Sequence, residues 1–323
     1  MKNKYSFKFG VIVLSLVLIA CSGGSADAGC PEIDGREINV VATTPMIGEF
    51  VSNVGGDNIN LTVLMPPEAD PHSYEPAPQD AGTIADADLV FYTGLMYEPS
   101  PLVELLENSV CGSEALAEVG ESVFPIEFKE GGHDDHDDHG GHEGHGHGAY
   151  DPHFWFDPNR VVYASEFIES KLIELDPSNA ASYQAAGDTY ATELSSLTGQ
   201  VSQLIGSIPS QNRKLITTHE SLGYLEAKFG LEVLSTIIPD LDSSNEITPA
   251  QLVGVIDVIE DNNVKVIFIE AEAPSVYAET IVAETGIKAV EGLWVETLKP
   301  GQTYPEFLIE AVELIVENLS NSD

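Results

Sequence analysis

The nine histidines of the chain fall into two groups. Six lie in one low-complexity run, at His133, His136, His139, His142, His145 and His147, and three stand apart as His72, His153 and His219. His72 lies in Asp70-Pro71-His72-Ser73-Tyr74-Glu75-Pro76, a loop stiffened by two prolines. His153 lies in Asp151-Pro152-His153-Phe154-Trp155-Phe156-Asp157-Pro158, again bounded by proline and flanked by aromatics able to exclude water. His219 directly follows the strand-like run 214–218, in Thr217-Thr218-His219-Glu220-Ser221-Leu222-Gly223-Tyr224. A lone histidine is most often a hydrogen-bonded structural residue. Three on rigid loops or strand ends are a set of imidazole donors for a transition metal.

The elements that must hold these residues alternate in type. Strand-like runs at 38–42, 61–65 and 89–93 are interleaved with helical spacing at 46–54, 78–86 and 99–108, with Thr44 as N-cap and Pro45 in the first turn. The pattern restarts with strands at 214–218, 232–236, 264–269 and 288–290 and helices at 248–261, 275–285 and 304–319. Such alternation predicts an α/β fold of two lobes with mainly parallel sheets. Parallel sheets bind ligands at their carboxyl ends, where His72 and His219 fall, while His153 stands in a proline-bounded loop before a helix. Residues 159–207 are helical in character with a break at Asp176-Pro177-Ser178. The piece beyond the break would run about 40 Å, long enough to join the lobes as a rigid strut. The domains expected are an N-terminal lobe over 36–177, an interlobe helix over 178–207 and a C-terminal lobe over 208–323.

The segment before the first lobe reads as an address. Lys2, Lys4 and Lys8 precede the apolar stretch Phe9–Ala20, too short to span a bilayer, and Leu18-Ile19-Ala20-Cys21 resembles a bacterial lipobox. Residues 1–20 are therefore read as a lipoprotein signal peptide, and 21–35 as lipidated Cys21 and a flexible tether. The alternative is an ordinary secretory signal with an incidental cysteine. Outside the cytoplasm Cys30 and Cys111 are either a disulfide, the favoured reading, or two buried thiols. Charge excludes another class of partner: 13 Lys and Arg against 53 Asp and Glu leave −40, so nucleic acid finds no basic footprint.

The two Asp-Pro-His loops, the second running on to another Asp-Pro, and the strand-end Thr-His-x-x-x-Gly-Tyr together resemble the metal-binding receptors of bacterial zinc and manganese ABC importers. Among these the chain is most similar to the ZnuA- and AdcA-type zinc-uptake proteins (cluster A-I), over about residues 36–319. The resemblance implies two α/β lobes joined by one long helix, with a single metal in the interlobe cleft. It also implies His72, His153 and His219 as ligands, plus one late carboxylate. Family members usually place Asp in a Leu-Tyr-Asp-Ser-Leu-like run; here Leu293-Trp294-Val295-Glu296-Thr297-Leu298 puts Glu296 there. Glu220, beside His219, is the main substitute candidate.

Three imidazoles and one carboxylate fit Zn²⁺, whereas Mn²⁺ takes more oxygen ligands; in the manganese branch the position matching His219 is typically Glu. The expected cargo is Zn²⁺, captured outside the cytoplasm, at the cell surface or in the periplasm, and handed to an ABC-transporter permease by a lipid-anchored, monomeric receptor. A manganese- or iron-type receptor of the same fold is the nearer alternative. A secreted zinc hydrolase with a His₃ site and a water in the open position is the alternative from another class. Against it, neither His-Glu-x-x-His nor Gly-x-Ser-x-Gly occurs. An adhesin role leaves no readable mark. The acidic, glycine-loosened run 131–148 cannot build a core, and its six histidines are expected to bind Zn²⁺ weakly, apart from the tight site.

Overall fold

The computed structural model describes residues 30, 33, 35–128, 150–243, 245–273 and 275–320. The signal segment, Cys21 and the histidine-rich run 131–148 lie outside the described residues.

The first lobe runs β1 (Ile38–Ala42), α1 (Pro45–Gly55), β2 (Ile59–Val63), α2 (Pro78–Ala85), β3 (Leu89–Tyr92), α3 (Ser100–Ser109) and β4 (Leu116–Glu118). Then come α4 (Pro158–Leu175) and α5 (Ala180–Gly206). The second lobe runs β5 (Lys214–Thr217), α6 (Gly223–Phe229), β6 (Glu232–Thr236), α7 (Pro249–Asn262), β7 (Val266–Glu270), α8 (Ala278–Thr285), β8 (Lys288–Leu293) and α9 (Tyr304–Ser320). Both sheets are parallel and share one strand order, β2-β1-β3-β4 and β6-β5-β7-β8.

Local chemistry accounts for the boundaries. Thr44 accepts from the Ile47 amide at 3.2 Å and Pro45 occupies the first turn of α1. Asp157 caps α4 through the Asn159 amide at 3.0 Å, with Pro158 next. The strand expected at 61–65 instead runs Ile59–Val63. Leu64 and Met65 still donate to the Ala42 and Thr43 carbonyls, but the chain turns away at Pro66. β4 and α6 have no counterpart in the sequence reading: three residues carry no periodicity, and α6 opens on a glycine, a poor helix former.

The break at Asp176-Pro177-Ser178 separates α4 from α5, as its turn-forming residues require. α5 is 27 residues long and buries Tyr183, Gly187, Tyr190, Leu194, Leu197, Val201 and Ile205, one stripe at alternating steps of three and four. It packs on α4 and α1 of the first lobe and on α6 and α9 of the second. The lobes share one continuous core, in which Phe50, Phe154 and Trp155 meet Tyr224, Tyr304 and Phe307. A disulfide joins Cys30, ahead of β1, to Cys111, in the turn between α3 and β4.

Candidate metal centre

His72 lies in the loop after β2, where its own amide donates to Asp70 Oδ1 at 3.0 Å and forms a tight turn around Pro71. His153 caps a short 3₁₀ turn, Phe154–Phe156, whose three aromatics are fully buried. His219 follows β5, and Glu296 lies in the loop after β8. A bulge between β7 and β8, with Gly292 at φ 90°, turns that loop inward.

These four side chains converge. One ligand atom from each of His72, His153, His219 and Glu296 lies within 4.8 Å of all the others. Glu296 Oε1 is 2.8 Å from His219 Nε2, 3.3 Å from His153 Nε2 and 3.5 Å from His72 Nε2. A tetrahedral ion with bonds of about 2.0–2.1 Å sets its donors roughly 3.3–3.4 Å apart, and the carboxylate oxygen stands near that spacing from each of the three nitrogens. His153, His219 and Glu296 are wholly buried, and the His72 side chain is 4% exposed. His72 Nε2, His219 Nε2 and Glu296 Oε2 have no hydrogen-bond partner, although each is buried. Buried polar atoms are normally satisfied, and a cation held with Glu296 Oε1 would satisfy both nitrogens at once.

Carboxylates fix two of the imidazoles from behind. His153 Nδ1 is 2.8 Å from Asp151 Oδ1, which also accepts the His153 amide at 2.9 Å. His219 Nδ1 bonds Glu270 Oε2 at the end of β7, and Glu270 Oε1 accepts from Ser221 and from the His219 amide. Such partners settle the tautomer, leaving the Nε2 lone pair free to ligate. Burial opposes charging His153, yet Glu296 and Asp151 outweigh it and push the imidazole up to about 9. Burial likewise opposes His219, and Glu270 carries it well above the usual range. Burial would raise Glu296, but the imidazoles of His153 and His72 hold it well below the ordinary carboxylate range. Without a metal the site is thus an ion-pair cluster.

Aromatic groups close the site across the lobes. Tyr97 stands edge-on to His72 and His153 and donates to the Glu296 carbonyl at 2.9 Å. Trp155 Nε1 donates to the Val295 carbonyl at 2.9 Å, and Tyr304 of α9 donates to the Trp155 carbonyl at 2.6 Å. Glu220 faces elsewhere: its carboxylate accepts from Thr236 at 3.1 Å and is not part of the cluster. Asp151, Glu270, Tyr97 and Glu272, whose carboxylate holds the backbone of the Glu296 loop, were not singled out in the sequence. Asp151 sits two residues before His153 in the quoted motif and is the one such group with a local signal. The six histidines of the 131–148 run are outside the described residues, and the cluster holds all three of the described histidines.

The model of a family described as zinc-uptake complex component A, periplasmic, matches residues 40–318. The high-affinity zinc uptake system protein ZnuA of Bacillus subtilis is 30% identical over 99% of this chain and 99% of its own. The manganese-binding lipoprotein MntA of Halalkalibacterium halodurans is 25% identical over 98% of this chain and 99% of its own. The periplasmic zinc-binding protein TroA of Treponema pallidum has the same fold, with a TM-score of 0.75 at 23% identity over 88% of this chain and 100% of that one. Among the described residues no helix is long and apolar enough to cross a membrane. With the family match covering nearly all of the described chain, and a 30% identical relative aligned end to end, the chain belongs to the zinc-uptake complex component A family, and is an extracytoplasmic metal-binding receptor of an ABC importer rather than an enzyme.

Proposed function

We propose that the cargo is Zn²⁺, held by His72, His153, His219 and Glu296 and passed to the permease of a zinc-uptake ABC importer by a monomeric receptor anchored through lipidated Cys21. One observation carries this reading: three buried imidazole nitrogens and one carboxylate oxygen converge within 4.8 Å of one another. Zn²⁺ is the divalent ion that favours four such donors and a closed shell. Glu296 supplies the fourth donor, which leaves no open position for the water that a zinc hydrolase needs. Mn²⁺ is the second reading, favoured by the unpartnered Glu296 Oε2, which could bind side by side with Oε1 and raise the coordination number.

Two measurements separate the readings. Protein purified without added metal should carry about one equivalent of zinc by elemental analysis. X-ray absorption should report three nitrogens and one oxygen with no bound water. Recovery of manganese, or a shell of more than four donors with both Glu296 oxygens bound, would assign the receptor to manganese.

A further inference from the structure

β7 lies between β5 and β8, the two strands whose ends carry the second-lobe residues of the cluster. Its carboxyl end presents two glutamates. Glu270 serves His219 on the β5 side. Glu272, in the turn beyond β7, reaches the other way, toward the loop after β8. Its Oε1 accepts from three successive backbone amides: Val295 at 3.1 Å, Glu296 at 3.0 Å and Thr297 at 3.3 Å. Oε2 shares the Val295 amide at 3.3 Å.

Three converging amides make a nest for one acceptor oxygen, here from a side chain of the same lobe. Burial, with the Glu296 charge beside it, pushes that carboxyl up to about 8, so at neutral pH it accepts as a largely neutral acid. Its charged neighbours, Glu296 and Glu270, have the sign its carboxylate would carry, so ionisation there is unfavourable apart from those amides. Pinning the amides of 295, 296 and 297 fixes the backbone on both sides of the Glu296 Cα. The same segment is held from the first lobe through its carbonyls, by Trp155 at Val295 and Tyr97 at Glu296. Thus each peptide face has its own holder, one from each lobe.

We propose that Glu272 is a positioning residue of the metal site: it gathers the Val295, Glu296 and Thr297 amides and so presets the Glu296 oxygen toward the three imidazoles, acting on the ion only through Glu296. The inference rests on Glu296 being a ligand, as proposed above. Glu272 works as an acceptor, so a glutamine whose carbonyl replaces Oε1 keeps the function and a side chain without an acceptor loses it.

The test is a Zn²⁺ competition titration against a chromophoric chelator with wild type, E272A, E272M, E272Q, E296A and E272A/E296A, each checked for folding by thermal melting. E272A and E272M should bind Zn²⁺ about 10–100-fold more weakly, the usual effect of losing a residue that orients a ligand, and E272Q should recover most of that loss. The double variant should bind like E296A alone, because Glu272 has nothing to position once Glu296 is gone. A purely structural glutamate would show neither the rescue nor this non-additivity. The proposal is overturned if E272A and E272M bind as wild type while E296A is weakened, if the losses add in full, or if both variants fail to fold. Unchanged binding by E296A would instead remove the fourth-ligand assignment on which the proposal stands.

Discussion

His153 meets Asp151 on one ring nitrogen and Glu296 on the other, so an ion bound by that second nitrogen would replace a proton there. Its imidazole is held up to about 9 in the metal-free site, so at neutral pH it is charged, whereas an ion binds only the neutral ring. Binding at pH 7 should therefore release at least one proton, measurable by calorimetry in buffers of differing ionisation heat. Zinc affinity should fall by up to about tenfold per pH unit, for each proton displaced, as pH drops below about 9. Binding without proton release would contradict the ion-pair description of the metal-free site. A second outcome concerns the neighbour of His219: Glu220→Ala should leave Zn²⁺ affinity unchanged in the same titration, since its carboxylate faces Thr236. The three clustered histidines were legible because isolated histidines in stiff motifs are rare. Glu296 was legible only through the family's late carboxylate. Glu270 and Glu272 were not legible, being two among 53 acids whose partners are chosen by strand order rather than by local sequence.

The alternation of elements was readable because buried parallel strands and amphipathic helices differ in period, and most boundaries fell within a few residues. What escaped was set by neighbours: the three residues of β4 are a strand because Val90, Phe91 and Tyr92 offer them a ladder. The Cys30–Cys111 bridge acts at this scale. Cys30 precedes β1 and Cys111 precedes β4, so the bridge ties the amino ends of the first sheet, opposite the ligand loops. The paired change Cys30→Ser/Cys111→Ser should lower unfolding stability by roughly 2–5 kcal/mol in denaturant titration, as expected for a long closed loop, and leave Zn²⁺ affinity as it was. A loss of affinity with unchanged stability would show that the bridge shapes the site instead.

At the scale of the molecule, the two-lobed plan conceals a hydrophobic core that spans both lobes, beside a smaller one within each. Tyr304 from the last helix packs edge-on to Phe50 of α1 with ring centroids 5.3 Å apart, and α5 lies on both lobes. Opening the lobes as a hinge would expose that shared apolar surface, so release is expected to proceed by rearrangement of the loops bearing His72 and Glu296. Small-angle scattering of metal-free and zinc-loaded protein should give superimposable profiles, and a clear expansion on metal removal would contradict this. The common strand order of the two sheets bears on how such a site could arise. The scaffold has an internal near-symmetry that the donors do not obey: the first half gives two imidazoles, from the loop after β2 and the turn before α4, and the second gives one imidazole and one carboxylate, from the loops after β5 and β8. Two copies of the first half would offer four imidazoles, and two copies of the second would offer two of each kind. A three-to-one set therefore needs both halves in one chain, and neither half paired with a copy of itself would supply it.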